Sequence, residues 1–207
     1  MEPAVSKKRE TGCSSTRTTI LDVATRLFAR QGYDRVTMRD ISSAVGVTMP
    51  TIYHHFKDKE CLYREVELAN YGAMKARLLS SISASASPRD QLYAFVAELY
   101  DVFNDDPIFL GLAVRNMLDP DERHHQFLVG VAMQDVYDAF SRLIGELDSG
   151  KDTRMTPLIV ISSILGFIMM GPAKRLIEGY PHRAGDNIDE RGDFIEYIVK
   201  SMTGEIA

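Results

Sequence analysis

Cysteine is scarce: Cys13 and Cys61 are the two in 207 residues. Two thiols cannot build a disulfide scaffold, and such scarcity suits a reducing compartment. Long apolar runs are missing too. The run Leu158 to Gly171 comes nearest, but it lies between Pro157 and Pro172 and contains Ser162 and Ser163. A bilayer core of about 30 Å needs about 20 apolar residues, so this run reads as a buried helix. The opening Met1-Glu-Pro-Ala-Val-Ser-Lys-Lys-Arg-Glu10 has no apolar signal core, and the expected location is cytoplasmic, with no membrane partner. No strictly alternating stretch marks a strand, and no repeat recurs. Gly-x-Ser-x-Gly, a phosphate loop and zinc-ligand spacing are all absent, so neither an enzyme nor a cofactor is expected.

What is present is an ordinary globular composition, 45% hydrophobic and 26% charged, in a chain long enough for one or two domains with a sizeable core. The net charge of −5 is unevenly spread. Residues 1–60 hold ten Lys and Arg against seven Asp and Glu, or +3; the remainder holds fourteen against twenty-two, or −8. That asymmetry suits a basic binding module on an acidic body, or simply two solvated surfaces of different sign.

Helical periodicity dominates. Ile20, Val23, Ala24, Leu27 and Phe28 share one face, as do Leu92, Phe95, Val96, Leu99 and Phe103. The pattern returns through Leu128, Val131, Phe140, Leu143, Ile144 and Leu147, and again in Phe194, Ile195, Ile198, Val199, Met202 and Ile206. Helix starts are marked by Ser87-Pro-Arg-Asp90, Asp106-Pro107, Asp119-Pro-Asp-Glu122 and Asn187-Ile-Asp-Glu190, each offering a side-chain oxygen to orphan backbone N–H groups. Gly32, Gly46, Gly150 and Gly185 mark stops. Residues 1–14 read as a disordered basic arm, 80–87 as a serine-rich connection and 180–187 as a second flexible link.

Residues 37–56 carry the most specific signal. Thr37-Met-Arg-Asp40 is a capping box opening a short helix whose apolar face is Met38, Ile41, Ala44 and Val45. Gly46 suits the positive φ of a tight turn. Thr48 caps a second short helix beginning Met49-Pro50, anchored by Ile52 and Phe56, with Thr51, Tyr53, His54 and His55 mostly outward. This is a helix-turn-helix pattern, whose second helix enters the DNA major groove.

The stretch Ile20–Phe28 with Gly32-Tyr33, Val36-Thr-Met-Arg-Asp-Ile41, Ala44-Val-Gly-Val47 and Pro50-Thr-Ile-Tyr-His-His-Phe-Lys-Asp-Lys59 followed by Leu62 resembles the TetR family of transcriptional regulators. The resemblance covers residues 15–66; the remainder fits by length and helical character. It implies an all-α fold of about nine helices, with a three-helix helix-turn-helix DNA-binding domain over 15–60 and a helical effector-binding and dimerisation domain over 61–207. It implies that Thr37 caps and touches phosphate, that Arg39 reaches groove or backbone, and that Thr48, Met49, Pro50 and Thr51 start the recognition helix. Tyr53, His54, His55, Lys57 and Lys59 would meet phosphate or sugar, although Tyr53 could equally be a packing residue and the histidines merely solvated. The partners implied are double-stranded operator DNA, a second copy of the chain and a small apolar or aromatic effector. The expected mode is repression from a pseudo-palindromic operator; the alternative is a helical protein-interaction module that does not bind DNA.

The nearly all-round apolar helix at 158–169 requires cover on both sides, from its own domain and from a partner, or else burial at the centre of a monomer. Ile161, Leu165, Ile168, Phe194, Ile195, Ile198 and Met202 are the expected dimerisation residues. Tyr71, Met74, Tyr93, Tyr100, Phe103, Phe109, Met117, Phe127, Met133, Tyr137 and Phe167 form a soft, aromatic set suited to core or to an adaptable pocket. Glu67, Asn70, Arg115, Asn116 and Gln134 are polar groups able to orient a ligand there. Asp119, Asp121, Glu122, His124 and His125 invite a metal reading, with Asp121 and His125 one turn apart, but acids at a helix start follow from the helix dipole alone, and no metal is expected.

Overall fold

In a computed structural model of the chain, the described residues are 10–82, 86–147, 152–174, 176–178, 180 and 189–205, and among them every regular element is a helix. In order these are α1 (Glu10–Gln31), α2 (Met38–Val45), α3 (Met49–His55), α4 (Lys59–Ser80), α5 (Pro88–Asn104), α6 (Pro107–Met117), α7 (Glu122–Leu128), a π turn (Val129–Met133), α8 (Gln134–Glu146), α9 (Thr156–Met169), α10 (Gly171–Lys174) and α11 (Glu190–Thr203). Because α7, the π turn and α8 run on without a break, the described residues hold nine longer helices and the single turn α10. The fold is all-α, as the periodicity implies.

Local chemistry sets the helix ends. Thr37 accepts from the Asp40 amide while the Asp40 side chain accepts from the Thr37 amide, so both halves of the capping box are made. Gly46 closes α2 at φ 78°, a left-handed backbone that costs a residue with a Cβ about 1–2 kcal/mol. Ser87 accepts from the Asp90 amide ahead of Pro88. Asp189, not Asn187, caps α11 by accepting from Gly192 N; Asn187, Gly150 and Gly185 lie outside the described residues. α1 starts at Glu10, within the stretch read as a disordered arm. A helix nucleated on the anchored Ile20 face extends easily through residues without a breaker; residues 1–9 lie outside the described part.

The chain divides into two compact units, one running to Tyr71 and including Ile108–Leu128, the other Gly72–Pro107 with Val129–Ala207. This division does not coincide with a boundary at 60. The first turns of α4, together with α6 and α7, belong with the N-terminal helices. In that first unit Ile20, Ala24, Phe28, Val36, Ile41, Ile52, Leu62 and Val66 are fully buried. Phe28 meets Tyr63 edge-on at 4.8 Å between ring centroids. Gly111 of α6 lies so close to α1 that an added Cβ would stand 3.0 Å from the Ala29 carbonyl oxygen.

In the second unit α5 packs against α8, α9 and α11. Leu92, Phe95, Val96 and Leu99 turn inward, Phe95 meets Phe140 at 4.9 Å, and Phe167 stacks on Phe194 at 4.0 Å. A π turn leaves carbonyls without the usual helical donor. Here the Lys75 ammonium donates to Val131 O at 2.7 Å and also pairs with Asp135 at 2.9 Å.

Candidate nucleic-acid interface

α1 packs on α2, and α2 on α3. Ile41, Ile52 and Phe56 are sealed in the core, which fixes the rotation of both short helices. The opposite face of α3 is open. Thr48, Pro50, Tyr53 and His54 are exposed, and Met49, Thr51 and His55 are half-buried. Tyr53 is 50% exposed. Thr37, Arg39 and Lys57 are exposed beside them. One detail of α2 differs from its pattern. Ala44 is exposed and Ser42 is buried instead, because the Ser42 hydroxyl donates to Val47 O at 2.6 Å and so carries its own partner inward.

The side chains of this face are partly pre-positioned. The Thr48 and Thr51 hydroxyls share a hydrogen bond of 2.9 Å. Burial first, then the nearby His54 and Arg17 side chains, hold His55 below the usual histidine range, so at neutral pH it brings hydrogen bonding and not charge. The Lys59 ammonium donates to Tyr33 O at 3.0 Å and lies 4.0 Å from the Tyr33 ring centroid. Arg17 pairs with Glu65 and lies over the Phe56 ring.

Comparison with known proteins bears directly on this motif. The family model described as "Bacterial regulatory proteins, tetR family" matches residues 20–66. The HTH-type transcriptional repressor KstR2 of Rhodococcus jostii (strain RHA1) is 31% identical over 93 residues, 45% of this chain and 46% of that protein. The HTH-type transcriptional regulator AcrR of Shigella flexneri is 44% identical over 62 residues, 30% of this chain and 29% of that protein. The chain therefore spans less than half the length of these curated relatives. The likeness in fold is longer. The solved transcriptional regulator FadR from Bacillus subtilis, in complex with stearoyl-CoA, superposes with TM-score 0.71 at 16% identity over 92% of this chain and 99% of that one. Residues 20–66, which hold α2 and α3, are thus similar to the tetR family of bacterial regulatory proteins.

The remaining candidates are spread over both units. Of the aromatic and sulfur set, Tyr71, Phe109, Met117 and Phe127 belong to the first unit and Met74, Tyr93, Tyr100, Phe103, Met133, Tyr137 and Phe167 to the second. Tyr71 and Phe109 are buried in edge-on contact at 5.2 Å. Met117 and Met133 are 55% and 41% exposed. Phe127 lies under Arg64, and the Tyr137 hydroxyl donates to Arg154 O. A groove of about 430 Å³ in the second unit is lined by Leu79, Ile82, Gln91, Ala139, Arg142 and Glu146, none of them in that set. The expected dimerisation residues divide by burial within the single chain. Leu165, Ile195, Ile198 and Met202 are buried within their own chain, whereas Ile161, Ile168 and Phe194 are half-buried. The apolar surface still open on these helices is Leu158, Ile159 and Met169 of α9 with Tyr197 of α11.

The sequence marks Glu67 and Asn116 as candidate ligand-orienting groups and His124 as a candidate metal ligand, but not the buried polar seam they form in the first unit. Glu67 is 0% exposed, and Asn116 and His124 are 2% exposed. The Asn116 amide donates to Glu67 Oε1 at 3.2 Å and to Tyr71 Oη at 3.1 Å, and its carbonyl oxygen accepts from the Tyr63 hydroxyl. Glu67 Oε2 has no partner among the described residues. The acidic and histidine side chains of 119–125 have protein partners here. Asp121 is engaged by Arg123 and His125 by the Asn116 carbonyl, and among the described residues no group of three or more ligands could hold an ion.

Burial pushes the Glu67 carboxyl up to about 7. The folded protein thus holds this proton where the unfolded chain, titrating near 4.5, has released it. Stability from this group is complete below that unfolded value and is lost as pH rises toward 7. Glu67→Gln, which cannot ionise, should therefore exceed the wild type in unfolding free energy by about 1–3 kcal/mol at pH 8, the gap closing toward pH 5. Urea unfolding at the two pH values checks this; a variant less stable than the wild type at pH 8 refutes it.

Proposed function

We propose that the chain is a DNA-binding transcriptional regulator, a repressor acting in the cytoplasm as a dimer on a pseudo-palindromic operator. The observation that carries this reading is α3. Its two apolar anchors are buried, and its remaining side chains, Met49, Pro50, Thr51, Tyr53 and His54, form an open face at the end of a basic segment. Met49 and Pro50 offer apolar atoms to thymine methyls, Thr51 offers a hydroxyl to a base edge, and Arg39 a bidentate fork to guanine. Thr37, Tyr53, His54, His55, Lys57 and Lys59 meet phosphate and set the register.

Two recognition helices about 34–36 Å apart are needed to read successive major grooves, so the reading requires a second copy. The open apolar residues Leu158, Ile159, Met169 and Tyr197 support a pairing of α9 and α11 across a two-fold axis, joined by Ile161, Ile168 and Phe194. The effector is small and mostly apolar. The aromatic and methionine side chains of the body favour such a molecule, and the related FadR structure holds stearoyl-CoA. Among the described residues no helix is long and apolar enough to cross a membrane.

The test is a fluorescence-anisotropy titration of the whole chain against DNA from its own upstream region, with a scrambled control, at 50 and 200 mM salt. Selective binding should weaken by about 10³-fold or more between those conditions if six or more phosphates are neutralised. Equal affinity for both DNAs, or none after selection from random sequence, overturns the reading.

A further inference from the structure

The first unit contains a histidine that its surroundings require to be charged. His124 of α7 is 2% exposed. Its Nδ1 lies 2.8 Å from Asp119 Oδ2 and its Nε2 lies 3.2 Å from Glu60 Oε2. A carboxylate oxygen only accepts, so both hydrogen bonds exist together only when both ring nitrogens carry protons. A neutral ring leaves one buried nitrogen lone pair facing a carboxylate. Removing the proton therefore breaks one of the two bonds and turns it repulsive.

The bridge leads toward the proposed DNA face. Glu60 sits in the first turn of α4 beside Lys59. The same Glu60 oxygen that faces His124 accepts from the Tyr33 hydroxyl at 3.0 Å, and its other oxygen accepts from Arg64 at 2.8 Å. Tyr33 in turn presents its carbonyl and its ring to the Lys59 ammonium. The Tyr33 and Tyr63 rings pack against the imidazole at 4.8 and 5.1 Å. The titratable and charged groups around His124 are Glu60, Tyr63, Arg64 and Glu67 of α4, Tyr33 of the α1–α2 connection, Asp119 and Asp121 ahead of α7, and Arg123 on α7 itself. Acids outnumber bases among them.

We propose that the Asp119–His124–Glu60 bridge is a proton-operated clamp that fixes the Tyr33–Lys59 corner, so that loss of the His124 proton weakens DNA binding. The coupling to DNA rests on the function proposed above; the clamp does not. Burial opposes the charge, but the hydrogen bonds to Asp119 and Glu60 outweigh it and raise His124 above its ordinary 6.5. Support from this group is complete below 6.5 and is lost as pH rises through the higher folded value.

Two measurements on the full chain test it. Nitrogen-15 spectra of the ring nitrogens over pH 6–9 should show His124 protonated at both positions at pH 7, with a midpoint above 6.5, and Glu60→Gln should lower that midpoint. A neutral His124 ring at pH 7 overturns the clamp. Affinity for a selected DNA is then compared at pH 6.5 and 8.5. The wild type should lose at least about fivefold more than His124→Gln, the lower end of ordinary coupling between sites; the comparison also removes the titration of His54 and His55. Equal losses in both proteins overturn the coupling. Should His124→Gln not fold, Glu60→Gln replaces it in the comparison. If no protein binds DNA at any pH, the proposed function fails and the coupling with it, while the ring spectra still decide the clamp.

Discussion

Phe28→Ala is expected to lower the unfolding free energy by about 3–5 kcal/mol. Phe28 is 0% exposed, and its ring is the point at which α1 meets the aromatic cluster. It lies edge-on to Tyr63 at 4.8 Å and stacks beside Tyr33 at 6.2 Å. Removing it opens a cavity under the residue whose carbonyl holds Lys59, and it also forfeits the quadrupolar attraction to Tyr63. Domains of this size are stable by only about 5–15 kcal/mol, so much of the first unit's margin would go, and DNA binding with it. Urea unfolding followed by circular dichroism measures the loss. A change under about 1 kcal/mol would mean that the cluster is loosely packed and that it contributes little to holding α1 in place.

The second large effect separates binding from folding. Arg39, Thr51 and Tyr53 sit on the open face around α2 and α3, Arg39 and Tyr53 exposed and Thr51 half-buried. None of them belongs to the buried anchors. Replacing all three by alanine should reduce affinity for the selected DNA by about 100-fold or more, since a base-reading side chain is worth about 1–3 kcal/mol, while thermal stability stays close to that of the wild type. Unchanged affinity would show that α3 is not the helix that reads DNA.

The two outcomes are independent because the motif divides its labour cleanly. Ile52 and Phe56 face inward, so their neighbours on α3 are left outward by helical spacing alone. That division is legible in residues 37–56 because every interaction defining it spans a few residues. The Thr37–Asp40 box, the Gly46 turn and Pro50 at the helix start each form within one turn of chain. The motif marks Lys59 as a phosphate ligand, but its additional hold on Tyr33 is not legible there, since the two are joined only once α4 packs beside the α1–α2 connection.

Local chemistry alone establishes the all-α class, most of the helix ends and the inward or outward sense of α2 and α3, because caps, glycine turns and a 3.6-residue period all act within a few residues. Packing between distant segments settles the rest. A helix apolar on every side, such as α9, carries no periodic signal for which flank is covered. Its neighbours assign Val160, Ile164 and Leu165 to the interior and leave Leu158 and Ile159 open. Glu67, Asn116 and His124 stand out in the chain as polar candidates, but nothing near them in sequence shows that they are buried together. They lie 49 and 8 positions apart, and what makes them a buried polar seam is the pairing of α4 with α6 and α7. Burial and hydrogen bonding to distant partners set their protonation, and neither can be read from a residue's near neighbours.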